Sequence, residues 1–201
     1  MTGYRDRIHA GDVLAAELRE YAGRPDLCVL GLVRGGVPVA ARIATALGAP
    51  MDALVVRKLG VPWAPEVAFG ALGPGGVRVL NRQVVRDLDA LVIDEVTERE
   101  AAERDRREAL YRRGRDPIAL AGRTTIIVDD GLATGATAQA AVAVVRGLGA
   151  ARVVLAIPVG SVQAVAWLAK SADEVVCPLV PVAFGAVSRY FGSFEQVTDD
   201  T

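Results

Sequence analysis

Residues 125–137, TIIVDDGLATGAT, constrain the fold more than any other stretch of the chain. An apolar run leads into two aspartates, and small residues then turn the chain toward a new helix. A continuous apolar run of strand length suits a parallel strand covered on both faces. Asp129 and Asp130 stand where that strand ends, at the edge where an open α/β sheet meets its ligand.

The rest of the chain repeats this rhythm. LCVLGL at 27–32 is a second buried strand, followed by VRGG and a helix from Pro38 to Gly48, with proline in its first turn and glycine at its end. ALVVR at 53–57 is the next strand and closes a strand–helix–strand unit. After the acidic pair come a helix to Gly147 or Gly149, a strand at RVVLAIPV, a helix at SVQAVAWLAK and a last strand at DEVVCPL. Residues 12–21 read as a short amphipathic helix with Val13, Leu14 and Leu18 inward. Trp167 lies on an apolar helix face and is expected in the core.

Residues 59–113 break the rhythm and read as an inserted flap. The pattern predicts a loop, then a hairpin of strands at 66–71 and 77–80 around Gly73–Gly76. LVIDE at 91–95 suits either a short strand or the start of a helix. Residues 98–113 are helical and mostly solvated, with Glu100–Arg104 and Glu103–Arg107 pairs at i,i+4. We therefore expect one domain, 1–201, with 59–113 as the flap and 178–201 as a C-terminal tail and hood.

The segment after the acidic pair is built for an anion. Small residues from Gly131 to Thr137 let backbone N–H groups converge, and the new helix adds its unpaired N–H groups. Thr134 and Thr137 offer hydroxyls. Two carboxylates facing a phosphate would repel it, so the pair must meet another part of the ligand, such as a diol or a bound Mg²⁺. A plain turn capped by Thr134 or Asp130 needs neither an acidic pair nor a Thr-Gly-x-Thr run. No Walker loop and no dinucleotide fingerprint is present.

VDDGLATGAT resembles the signature of the type I phosphoribosyltransferases, which bind 5-phosphoribosyl-1-diphosphate (PRPP). DRIHAGDVLAAEL, VLGLVRGGVPVA, VVRKLG, FGAL and FGAVSRYF narrow the likeness to bacterial members of unassigned substrate. Where those often read Gly-x-Pro-x-Asn-Pro-Glu, this chain has GVPWAPE, with Ala64 at the asparagine position. The resemblance implies an α/β fold, a parallel sheet flanked by helices with a flap and a small hood, of strand order 3-2-1-4-5. It implies that Asp129 and Asp130 hold the ribose hydroxyls and, directly or not, Mg²⁺ bound mainly with PRPP. Residues 133–137 (Ala133, Thr134, Gly135, Ala136, Thr137) would hold the 5′-phosphate, and Gly131 and Leu132 join them in the expected substrate-binding set. Arg34, Gly35 and Gly36 would touch the pyrophosphate, with a cis peptide at Arg34–Gly35. Arg57 and Lys58 would add charge after the second strand. Arg34, Lys58, Asp129 and Asp130 form the expected catalytic set.

The activity implied is phosphoribosyl transfer from PRPP to a nitrogenous acceptor with release of pyrophosphate. A PRPP or nucleotide sensor, and a ribose-phosphate hydrolase or phosphorylase, are the alternatives. Phe184, Tyr190 and Phe191 are candidates for stacking on an acceptor, and Trp63 and Glu66 lie in the expected lid. The net charge of −1 gives no basis for general nucleic-acid binding. The uncharged stretch 153–169 is broken by Pro158 and Gly160, which argues against a membrane span. Cys28 and Cys177 lie in apolar runs and read as buried thiols, and with one histidine, His9, they leave no zinc set. A start without an apolar leader segment points to the cytoplasm. The expected partner is a small phosphoribosyl substrate, with a homodimer among the assembly options.

Overall fold

The computed structural model describes residues 3–198. A five-stranded parallel sheet carries the site, and a three-stranded antiparallel sheet stands beside it. The chain runs α1 (Arg7–Glu17), β1 (Leu27–Leu32), α2 (Gly36–Leu47), β2 (Met51–Leu54), β3 (Arg57–Val61), β4 (Ala64–Leu72) and β5 (Arg78–Leu80). It continues through α3 (Arg82–Val85), α4 (Ala90–Arg112), β6 (Thr124–Val128), α5 (Ala136–Gly147), β7 (Arg152–Ala156), α6 (Val162–Leu168) and β8 (Glu174–Val176).

The parallel sheet has the order β2-β1-β6-β7-β8. In its own strand numbers that is 2-1-3-4-5, not the 3-2-1-4-5 implied by the resemblance. The reason lies in the residues of β6. All five are buried, and the strand pairs on one side with β1 and on the other with β7. A strand with no exposed residue belongs in the middle, where both of its backbone edges are also bonded. The edges go to β2 and β8, which keep partly exposed residues.

Other elements shift for local reasons. α1 begins at Arg7 because Asp6 caps it, accepting from the His9 N–H at 2.7 Å. Leu14 and Leu18 face inward as expected. Gly48 ends α2 with φ 65°, the left-handed conformation that glycine adopts readily. Residues 91–95 are helical, the start of α4.

The insertion holds one strand more than the expected hairpin. Arg57–Val61 form β3, with register shifts around Gly60, so a bulge lets Leu59 and Val61 stay buried. With Phe69, Leu72 and Val96 they make a small core of their own. β2 accordingly stops at Leu54, and Arg57 and Lys58 belong to the insertion. At the far end, Arg112 meets Asp52 of β2 at 2.6 Å, with the two side chains 10% and 15% exposed. Among the described residues no helix is long and apolar enough to cross a membrane.

Burial on this scale sets the cost of truncation. Ile127, with no exposed surface at the sheet centre, should lose about 2–5 kcal/mol on Ile127→Ala. Leu91, 77% exposed on α4, should change stability by less than about 0.5 kcal/mol on Leu91→Ala. Urea unfolding of the two variants checks the contrast.

Candidate functional site

The sheet order fixes where a ligand can enter. The connection after β1 leads outward to β2, and the one after β6 leads the other way to β7, so a crevice opens between their C-terminal ends. Two loops line it, residues 33–36 and 129–135. They approach so closely that side chains are excluded. A Cβ on Gly35 would land on the Asp130 carboxylate, and one on Gly36 on the Val128 carbonyl. The cis peptide in the first loop is Val33–Arg34, one bond earlier than expected.

The acidic pair divides its work. Asp129 accepts from the Asp130 N–H at 2.9 Å. Burial, and then the neighbouring Asp130 charge, push its carboxyl up to about 8. At neutral pH this shift favours the uncharged form of Asp129, which eases the repulsion a phosphate would meet. Asp130 is held by Arg7, whose Nε and Nη2 reach Oδ2 at 2.8 and 2.7 Å. The sequence reading missed Arg7. Its only signal was its place within DRIHAGDVLAAEL.

Beyond the pair, the chain forms an open cradle. Gly135, with φ 81°, stands before α5 and has no side chain to cap it. The first N–H groups of the helix are left for a ligand. Thr134 Oγ1 makes only a long contact with the Ala136 N–H, 3.4 Å. Ala133, Thr134 and Thr137 are exposed. Leu132 is held in the loop by packing and backbone bonds. Its side chain is buried, its N–H donates to Val159 O, and its carbonyl accepts from the Ser161 N–H. Gly131 lies under Val187 of the tail.

The cations arrive from the insertion. A cavity of about 590 Å³ is lined by Val33, Arg57, Lys58, Glu100 and Thr137, among others. Arg57 is paired with Glu100 at 2.6 Å, so Glu100 turns inward and does not meet Arg104, which bonds Asp105 instead. The Glu103–Arg107 pair forms as expected. Lys58 Nζ donates to Pro65 O at 2.7 Å. Arg34 is exposed and lines two other cavities, one with Gly35 and Asp130 and one beside β2.

The aromatic candidates are largely occupied with each other. Phe184 and Tyr190 stack at 5.7 Å, and Phe191 packs on Tyr4 in a buried cluster. His9 accepts from the Arg5 N–H, a local contact at the start of α1. Trp63 is 69% exposed at the β3–β4 turn. Trp167, expected in the core, is 44% exposed beside Gly135. Cys28 is buried and free, while Cys177 is partly exposed.

Among the described residues no group of three acidic, histidine or cysteine side chains is placed to hold a metal. Two carboxylates, one of them bonded to Arg7, supply only part of the oxygen set that Mg²⁺ requires. They fit an ion that brings most of its ligands from phosphates and water.

The raised Asp129 carboxyl makes stability depend on pH. An exposed aspartate titrates near 4, so between there and about 8 the folded chain binds more protons than the unfolded one. Stability from this group is therefore lost as pH rises through that window. Asp129→Asn removes the loss. Relative to the parent, the variant should gain more than about 1.4 kcal/mol between pH 5 and pH 8.5 in urea unfolding, the value of one pKa unit.

Comparison with known proteins completes the picture. The phosphoribosyl transferase domain family matches residues 5–191. Rv0571c of Mycobacterium tuberculosis, provisionally named a phosphoribosyl transferase, is 53% identical over 199 residues, covering 98% of this chain and 45% of that protein. The chain thus spans less than half the length of this relative. The crystal structure of TT1426 from Thermus thermophilus is 44% identical and superposes with a TM-score of 0.93, covering 100% of this chain and 95% of that one. AQ2163 from Aquifex aeolicus shares the fold at 12% identity and a TM-score of 0.54, over 87% of this chain and 74% of its own. With these matches and the sheet, crevice and acidic pair described above, the chain belongs to the type I phosphoribosyltransferase family.

Proposed function

We propose that the chain transfers the phosphoribosyl group of PRPP to a nitrogenous acceptor and releases pyrophosphate. The observation that carries this reading is the meeting, at one crevice, of an acidic pair, an uncapped helix start and a glycine loop. A ribose phosphate presents a diol, a 5′-phosphate and a second phosphate group to those three features.

The residues take distinct roles. Asp129 and Asp130 hold the ribose hydroxyls. The backbone at Gly135–Thr137 and the Thr134 and Thr137 hydroxyls take the 5′-phosphate. Arg34 and the Gly35–Gly36 backbone take the pyrophosphate, and Lys58 joins them after leaving Pro65 O. The acceptor nitrogen attacks ribose C1, the C1–O bond to pyrophosphate breaks, and its electron pair leaves with the pyrophosphate. Little base chemistry is needed when the nitrogen already carries a lone pair, so the protein orients, neutralises charge and excludes water. Mg²⁺ held by the acidic pair together with PRPP would supply further neutralisation of the leaving group.

Two measurements test the reading. In calorimetry with Mg²⁺, PRPP should bind, and Asp129→Asn combined with Asp130→Asn should weaken it at least about tenfold, or 1.4 kcal/mol. Equal affinity in the double variant would sink the role of the pair. A panel of nucleobases and amines, scored by pyrophosphate release, then separates an enzyme from a sensor, which would bind PRPP without releasing pyrophosphate.

The lid narrows to the β3–β4 tip, since Phe69 and Leu72 anchor the rest of the insertion. In a Trp167→Phe background, Trp63 at that tip should change its emission when Mg²⁺·PRPP binds, and adding Trp63→Phe should abolish the change. Constant emission at saturating ligand would leave water exclusion to the tail.

A further inference from the structure

The N-terminal segment and the tail are joined by backbone bonds. Tyr4 N–H donates to Tyr190 O at 2.7 Å, Gly192 N–H to Tyr4 O at 2.8 Å and Ser193 N–H to Arg5 O at 2.8 Å. That ladder stops at Ser193. The next two tail residues are gripped by one side chain. Arg7 donates through Nη1 to Glu195 O at 2.7 Å, and its guanidinium lies 3.8 Å from the centre of the Phe194 ring. The other edge of the same guanidinium holds Asp130 Oδ2. Both Arg7 contacts fall on Oδ2, which leaves Oδ1 outside the fork. The two side chains are 12% and 17% exposed, so the pair is well shielded from solvent, where a charged contact is strong.

We propose that Arg7 is a positioning residue of the acidic pair. It fixes Asp130 by one oxygen, presents the other to the ligand, and ties that carboxylate to the tail at Phe194 and Glu195. All three contacts use a planar, forked cation, so lysine replaces them only in part. About 320 Å³ of cavity lies among Arg7, Arg34, Gly35, Asp130, Phe194 and Val197, so the tail borders the same space as the carboxylate. Whatever engages Asp130 therefore also sets the tail. The ligand part of this inference rests on the PRPP reading above, and the coupling between Asp130 and the tail does not.

The test uses the full chain and four variants: Arg7→Ala, Arg7→Lys, Asp130→Asn, and the double variant Arg7→Ala with Asp130→Asn. Mg²⁺·PRPP affinity is read by calorimetry. Arg7→Ala should weaken binding at least about tenfold, and Arg7→Lys should recover part of that loss. The double variant should lose no more than about twofold beyond Asp130→Asn alone, because Arg7 acts through that carboxylate. Additive losses, or wild-type affinity in Arg7→Ala, would overturn the positioning role. A second arm needs no ligand. The ¹⁵N heteronuclear NOE of Glu195–Val197 should fall in Asp130→Asn as it does in Arg7→Ala, while residues in β6 keep theirs. If PRPP fails to bind the parent chain, the functional reading fails and this arm still decides the coupling. Unchanged tail order in Asp130→Asn overturns it.

Discussion

The structure depends on the burial of β6. Its residues tolerate neither an exposed face nor an exposed edge, so β1 and β7 must flank it. Once they do, the connections after β1 and β6 diverge, and a crevice forms where they part. The chemistry of the site is thus placed by a hydrophobic requirement. Asp129 follows Val128 without an intervening residue, so the carboxylates sit at the very end of the buried strand, partly shielded from solvent. Burial there, with the Asp130 charge beside it, pushes the Asp129 carboxyl up.

Three of the charged groups around the crevice are already engaged. Asp130 has Arg7, Arg57 has Glu100, and Lys58 has a flap carbonyl. A phosphorylated ligand bound as proposed would have to exchange these contacts for its own. The net gain from binding is then a difference between two sets of ionic contacts. Such a site favours a ligand whose charges match in position as well as in sign.

Much of this was legible in the chain. LCVLGL and TIIV announced buried strands through unbroken apolar runs, and Pro38 with Gly48 marked the helix between β1 and β2. The acidic pair and the small-residue loop stood out as a candidate site because few other needs place Asp-Asp beside Thr-Gly-x-Thr. What stayed hidden depended on distance in space. Asp6 as a cap was overlooked because the reading followed Val13, Leu14 and Leu18 instead. β3 was concealed by Gly60 and Pro62, whose punctuation meant a bulge and a turn, not a loop. Glu100 looked like a helix-surface partner of Arg104, since nothing local revealed that Arg57 would stand opposite. Arg7 and Asp130 are separated by more than a hundred residues, and no local pattern joins them.

The seam between the insertion and α5 has a consequence for exchange of parts. Ala71 packs against Ala140 and Val144, and a Cβ on Gly73 would strike Val144. The two surfaces fit like a dovetail, with the bulk on the helix and the hollow on the loop. Grafting the insertion of a relative onto this scaffold would therefore succeed only together with the matching face of α5. Because α5 also starts at the candidate cradle, any such transplant carries part of the candidate site with it. The insertion and the cradle form one interchangeable block, and the border between modules runs through the turn after α5, not through the junction at Val55–Val56.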